Sequence, residues 1–427
     1  MKLFVLLFCL SALLTGADAK RHRLVIWSID GFAAGYLTNP QFQESAVWRR
    51  LLRRGKVFAP VETTIPAVTY PAHTAMVTGS ETAAHQLYSN HPVDPFNLSK
   101  DGWTWYSEDI KTKPLWDIVR EQGKSAANIM WPVTMLPAGR IRYHIPQFDR
   151  AKGPEELKMM RVLTTPGLHR EIEIHAHAAL NEHVGDAERI RAGKYIWHKK
   201  KPDLMLLYNP GLDTIEHGNG AYSAPAFAHL DFLGRELEQF LRETEKHKSR
   251  ERTAVLLVSD HGFMTFRGKC HPNAILKNMG YIEPAKQRWT YAFDTAGGVA
   301  RLVPHGQAPD FKTREFSELL TQQCPDIEVI TPDHEDFPRL RRGFDAKAKL
   351  FLVGRANVLM STAWNKEVFL PDATGHTHGF LPDRPDMQTL AIAFTPDRKS
   401  PVKITRTKDT FRFACSWLKL RCPRGKN

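Results

Sequence analysis

The sequence predicts an α/β fold built on a mostly parallel sheet, and two observations carry that prediction. The first is three nearly continuous apolar runs, Leu24–Ile29, Leu204–Tyr208 and Ala254–Val258. Runs this short and this uniformly apolar read as strands buried on both faces. The second is helical periodicity between them, at residues 43–54, 112–122, 154–184 with a break at Pro166-Gly167, and 223–246. In the last of these, Leu230, Leu233, Leu237, Phe240 and Leu241 mark one face. Strands alternating with helices give a parallel sheet with covered faces. A strand-like stretch at Gly298–Val303 and a helical pattern at 311–323 place a smaller α+β subdomain within 264–374, leaving 20–263 and 375–427 for the core.

Composition narrows the class. The chain has 427 residues, 42% hydrophobic and 25% charged, which excludes a disordered or collagen-like chain. No apolar run reaches the ~18 residues of a spanning helix. The net charge of +13 favours anionic partners and says nothing about fold. Lys2, the apolar stretch Leu3–Leu14 and Ala17-Asp18-Ala19 read as a signal peptide over residues 1–19, hence an exported protein, periplasmic or extracellular. Without Cys9, four cysteines remain: Cys270, Cys324, Cys415 and Cys422. In an oxidising compartment an even number suggests disulfides. Cys415 and Cys422 are close enough to staple the tail, which would leave Cys270 for Cys324, although four cysteines allow three pairings.

Each apolar run is followed by a carboxylate. Asp30 follows the first at once, Asp213 comes five residues after Tyr208, and Asp260 follows the third, with His261 next. Open α/β sheets bind ligands beyond the carboxyl ends of their strands, so these acids are expected to converge. Asp213 and His217 lie four apart, on one face of a helical turn. His378 sits in Gly375–Phe380, beside glycines. Three acids and three histidines suit two divalent cations, zinc above all. Thr69, just before Pro71 and a helix-like stretch, offers a nucleophile where backbone N–H groups suit phosphate.

These residues together resemble the alkaline phosphatase superfamily, and within it the nucleotide pyrophosphatase/phosphodiesterase family. The family's first Asp-Gly turn is matched by Asp30-Gly31. Its Thr-Phe-Pro-Asn-His motif is matched by Thr69-Tyr70-Pro71-Ala72-His73, with Val77-Thr78-Gly79 after it. His85 and Asn90 fall at the offsets of a downstream His and a phosphoryl-binding Asn, and Trp131-Pro132 also matches. Asp213, His217 and Gly220, then Asp260-His261-Gly262, then His378-Gly379-Phe380 complete the set in family order. Ala72, Gln86 and Glu216 depart from the pattern, but none removes a ligand or the nucleophile. A sulfatase is disfavoured, because Thr69 stands where the formylglycine precursor is needed.

The resemblance implies a three-layer alkaline-phosphatase-like sandwich. It implies hydrolysis of phosphodiester or phosphoanhydride bonds, with a nucleotide as the expected small-molecule substrate. One zinc would be held by Asp213, His217 and His378, the other by Asp30, Asp260, His261 and the Thr69 oxygen. Thr69 would be the nucleophile, Asn90 would hold the phosphoryl oxygen, Tyr70 would stack on a nucleobase, and Phe148 or Trp131 would form a second wall. Two rivals remain: a phosphomonoesterase with Arg140 and Arg142 as a cationic clamp, and a basic polyanion-binding protein with an inactive site. No specific nucleic-acid motif and no spanning segment in the mature chain is read, and the sequence does not set the oligomeric state.

Overall fold

The computed structural model describes residues 20–100, 102–137, 139–147, 154–180, 184–246 and 251–423. The expected leader, residues 1–19, lies outside the described residues. Seven strands form the central sheet: β1 (Arg21–Ile29), β2 (Lys56–Val61), β3 (Ala126–Ile129), β4 (Tyr143–Ile145), β5 (Leu204–Asn209), β6 (Glu251–Val258) and β7 (Thr389–Phe394). Their order is β2-β7-β6-β1-β5-β3-β4. Strands β6, β1, β5, β3 and β4 run parallel. Strand β7 is antiparallel to both β2 and β6, so one side of the sheet is mixed.

The uninterrupted apolar runs follow from covering both faces of this sheet. Val25, Trp27 and Ile29 point into a core shared with Trp48, Leu230, Leu233, Leu237 and Phe240, from the helices Ala46–Arg54 and Ala224–Glu245. Leu24 and Ile26 point the other way, toward Met76, Trp116, Phe413 and Trp417, from the helices Thr69–Thr78, Leu115–Glu121 and Asp409–Trp417. Helices on both faces make three layers. Each fully buried Leu or Phe contributes about 1.5–3 kcal/mol relative to exposure. The long helix Ala224–Glu245 accommodates Pro225 in its first turn, where no intrahelical bond is lost.

The chain between β6 and β7 builds a separate antiparallel sheet from Tyr291–Thr295, Val299–Pro304, Phe351–Gly354 and Ile327–Ile330. Its own apolar cluster includes Phe293, Phe316, Leu320 and Leu352. The strand Met264–Cys270 pairs antiparallel with Phe369–Thr377, which delivers the chain to His378. That second strand crosses the division expected at 374. Pro371, Asp372 and Gly375 hide its strand pattern, and pairing with Met264–Cys270 is what orders it. Disulfides join Cys270 to Cys324 and Cys415 to Cys422. Closing the loop of sequence separation 54 is worth about 4 kcal/mol in the chain-entropy account. No helix among the described residues is long and apolar enough to cross a membrane.

Candidate active site

Parallel register sets the site. Ile29 lies opposite Asn209, and Ser28 opposite Val258, so β1, β5 and β6 end together. Asp30 and Asp260 leave the sheet at this edge. Asp213 stands in the first turn of the helix Gly211–Asn219, and His217 one turn further along. His378 arrives from the strand Phe369–Thr377. His261 Nε2 lies 3.1 Å from Asp30 Oδ1 and 3.2 Å from Asp260 Oδ2. Asp213 Oδ1 lies 3.5 Å from His217 Nε2 and 3.6 Å from His378 Nε2. The rings of His261 and His378 stack with centroids 3.7 Å apart. Thr69 Oγ1 is 3.3 Å from His261 Nε2. All seven residues expected to bind metal thus meet at one place.

The ligand atoms form two overlapping groups, Asp213/His217/His378 and Asp30/Asp213/His261, each spanning no more than 4.8 Å. Asp213 belongs to both, which the expected partition did not foresee. Asp260 reaches the inner group through His261.

The chemistry of the donors fits divalent cations. Each ligand histidine has its Nδ1 within hydrogen-bond reach of a backbone carbonyl: His261 to Gly262 at 3.1 Å, His217 to His376 at 3.1 Å, His378 to Ala67 at 3.2 Å. A donating Nδ1–H leaves the Nε2 lone pair facing the centre, the tautomer that metal-binding histidines adopt. Carboxylate oxygens face those lone pairs. Asp30 Oδ1, Asp213 Oδ1 and Asp260 Oδ2 are buried and have no hydrogen-bond partner. Among the described residues the only basic side chains within ion-pair distance of these three acids are histidines, never Lys or Arg. Burial first, then the Asp30 charge, pushes Asp213 and Asp260 well above the usual carboxylate range. Burial likewise holds His378 well below the ordinary histidine value. Buried acceptors crowded against acceptors call for cations.

Several supporting contacts escaped the sequence reading. The Tyr208 hydroxyl donates to Asp30 Oδ2 at 2.5 Å, and the Gly31 N–H donates to Asp260 Oδ1 at 3.2 Å. Gly31 is needed twice over. Its φ is +77°, and a Cβ there would lie 2.7 Å from Glu216 Oε2. Glu216 is fully buried, accepts from the Tyr36 hydroxyl at 2.5 Å, and is raised well above the usual range by burial. His73 ties the helix Thr69–Thr78 to β1: its Nδ1 lies 2.8 Å from the Thr69 carbonyl and its Nε2 2.8 Å from Ser28 Oγ. Tyr208 sits inside an apolar run and reads as core. The available signal was its place one residue from the functional end of β5.

Thr69 is the first residue of the helix Thr69–Thr78. First-turn N–H groups lack intrahelical acceptors, and Pro71 contributes none. The Tyr70 N–H donates to Asn90 Oδ1 at 2.9 Å. Asn90 is therefore tied to the head of the helix beside Thr69. His85 is fully buried and accepts the Leu87 N–H at 3.1 Å, which shapes the turn leading to Asn90.

The aromatic expectations need correction. Tyr70 is 0% exposed, packed with Leu87 and Val133 and capped by Trp103, ring centroids 5.2 Å apart. It offers no open face to a nucleobase. Trp131 is also buried, edge-on to His73 at 4.8 Å, so it is core and not a wall. Phe148 lies outside the described residues. Arg140 is engaged by Asp117 at 3.0 Å, and Arg142 lies over the Tyr143 ring.

The chain matches the family model for type I phosphodiesterase / nucleotide pyrophosphatase over residues 24–387. It belongs to that family. It is 22% identical to a venom phosphodiesterase of Macrovipera lebetinus, over 94% of this chain and 44% of that protein. Over a shorter stretch, 32% of this chain and 31% of the relative, it is 30% identical to human bis(5'-adenosyl)-triphosphatase ENPP4. The chain spans less than half the length of these curated relatives. Among solved structures it resembles murine ectonucleotide pyrophosphatase / phosphodiesterase 5, an inactive form in complex with AMP. The TM-score is 0.66 at 17% identity, covering 95% of this chain and 97% of that one. That likeness is one of fold, and it agrees with the three-layer architecture built around an alkaline-phosphatase-like sheet.

Proposed function

We propose that this member of the family is an exported, metal-dependent hydrolase of phosphodiester or phosphoanhydride bonds, acting through a phospho-threonine at Thr69. The observation that carries the reading is Thr69 Oγ1 at the head of its helix, 3.3 Å from His261 Nε2 and beside buried, unpartnered carboxylates. Asp213, His217 and His378 would hold one cation; Asp30, Asp260 and His261, with the Thr69 oxygen, would hold the other. Two zinc ions there would supply Lewis acidity, lowering the pKa of the threonine hydroxyl and neutralising charge on the phosphoryl group.

The chain's own groups do the rest. Thr69 Oγ forms a bond to phosphorus as the bond to the leaving oxygen breaks, and the departing arm takes up a proton. Water then attacks phosphorus and releases Thr69. Asn90 Nδ2 and the Thr69 N–H donate to the non-bridging oxygen, each worth roughly 3 kcal/mol of barrier. His73 holds the Thr69 carbonyl, so the nucleophile arrives already oriented. The net charge of +13 draws anionic substrates toward the site. AMP in the murine structure and the name of the human relative support a nucleotide on one side of the scissile bond. Two disulfides, with the leader read at residues 1–19, support export.

The test is turnover of bis(p-nitrophenyl) phosphate against p-nitrophenyl phosphate. The reading expects the diester to be preferred. A monoester preference above tenfold would overturn it in favour of a phosphomonoesterase. Arg140 is already committed to Asp117, which weakens its claim as a monoester clamp.

A further inference from the structure

The loop that follows the nucleophile helix does two things at once. On one side its Trp103 seals Tyr70. On the other side it walls a cavity of about 780 Å³ that faces the separate sheet. This cavity begins at Ser89 and His91, on either side of Asn90, and reaches Gly297. A Cβ at Gly297 would lie 2.2 Å from the His378 carbonyl oxygen. The cavity lining therefore flanks Asn90 in sequence and meets the backbone of His378 through Gly297.

Its walls have a definite chemistry. Phe96 and Trp364 meet edge to face with centroids 6.0 Å apart, and both are half-buried. The Trp364 indole N–H donates to the Pro95 carbonyl at 2.6 Å, which fastens the loop to the opposite wall. Hydroxyl and amide side chains, among them Thr295, Thr362 and Asn365, line the space. Among the described residues the walls carry one lysine, Lys269, and no arginine, against the carboxylate of Asp94; that of Asp294 is buried and paired with Arg301 at 3.0 Å. A polyphosphate needs several cations, and this surface offers one. Aromatic faces among uncharged donors and acceptors, with one carboxylate, suit a ring bearing many hydroxyls.

We propose that this cavity, and not the Tyr70 face, receives one arm of the phosphodiester, and that this arm is an uncharged polyhydroxyl group of the sugar or polyol class. The inference rests on the diesterase reading and adds to it a substrate class. A nucleotide on the other arm is compatible with it; a polyphosphate in the cavity is not.

The experiment measures kcat/KM of the full-length protein on two diesters, glucosyl p-nitrophenyl phosphate and methyl p-nitrophenyl phosphate. The sugar arm should be favoured at least tenfold. Trp364→Ala should reduce that ratio at least tenfold. Thr362→Trp, at an exposed wall position, should do the same by filling the space without removing a packed ring. A ratio near one in the unaltered protein, or a ratio that both variants leave unchanged, would overturn the assignment. If the unaltered protein hydrolyses neither diester, the diesterase reading fails. The cavity is then judged by calorimetric binding of glucose 1-phosphate, which Thr362→Trp must weaken at least tenfold for the assignment to stand.

Discussion

The two halves of the cluster differ in depth. Asp30, Asp260 and His261 have side chains 0–1% exposed, whereas His217 is 44% exposed and Asp213 17%. The inner half grows from adjacent strand ends and is braced by Tyr208 and the Gly31 N–H. The outer half grows from a helical turn and from the end of a strand beyond the sheet. Depth and bracing make the inner half part of the folded core, while the outer half opens to solvent. Asp213, a member of both groups, is the hinge between them.

That contrast is open to attack in several ways. The largest effect is expected at the nucleophile, which both halves serve. Thr69→Ala should lower turnover by at least roughly 10³-fold, while elemental analysis shows metal content largely retained; retained turnover would remove Thr69 from the reaction. Next, Asp260→Asn and His217→Ala should part company. Both should lose most activity, but only the inner variant should also lose several degrees of Tm, measured by calorimetry. Equal Tm losses would erase the distinction. A third effect concerns the brace: Tyr208→Phe should cost about 10–100-fold in metal affinity or activity, read by competition with a chelator dye. Because the rim exchanges with solvent, graded chelation should remove activity before it lowers Tm. Coincident loss of both would mean that the two halves act as one.

The last prediction tests the frame and not the site. Burial lowers His85 and His144 to about 3, so both are neutral in the fold. Unfolded, each titrates near the ordinary value of about 6.5. The unfolded chain therefore binds more protons below that pH, and stability falls as pH drops from about 6.5 toward 3, by up to about 1.4 kcal/mol per pH unit per group. Denaturant midpoints across that range should decline on acidification, and less steeply in His85→Gln. A flat profile would contradict the burial of these rings.

What the sequence made legible was the part fixed by covalent order. Asp30 follows its strand directly and Asp260 comes two residues after its own, and parallel register then brings them together whatever the loops do. Asp213 and His217 needed only one helical turn. The braces were not legible, because Tyr208 and His73 act across the sheet and each looks like core from its own neighbours. Tyr70 misled for a different reason. Position next to the nucleophile is local, but exposure is decided by Trp103, 33 residues away in the numbering. The strand Phe369–Thr377, which crosses the division expected at 374, was not legible because it is specified by its partner and not by its own pattern.

The central claim is that two cations sit among these seven side chains. Elemental analysis of the purified protein, set beside His217→Ala, tests it most directly. The account predicts two divalent ions per chain, falling to one in the variant as the outer group is lost and the inner one kept. A purified protein that is active, holds less than one ion per chain and ignores chelator would contradict it.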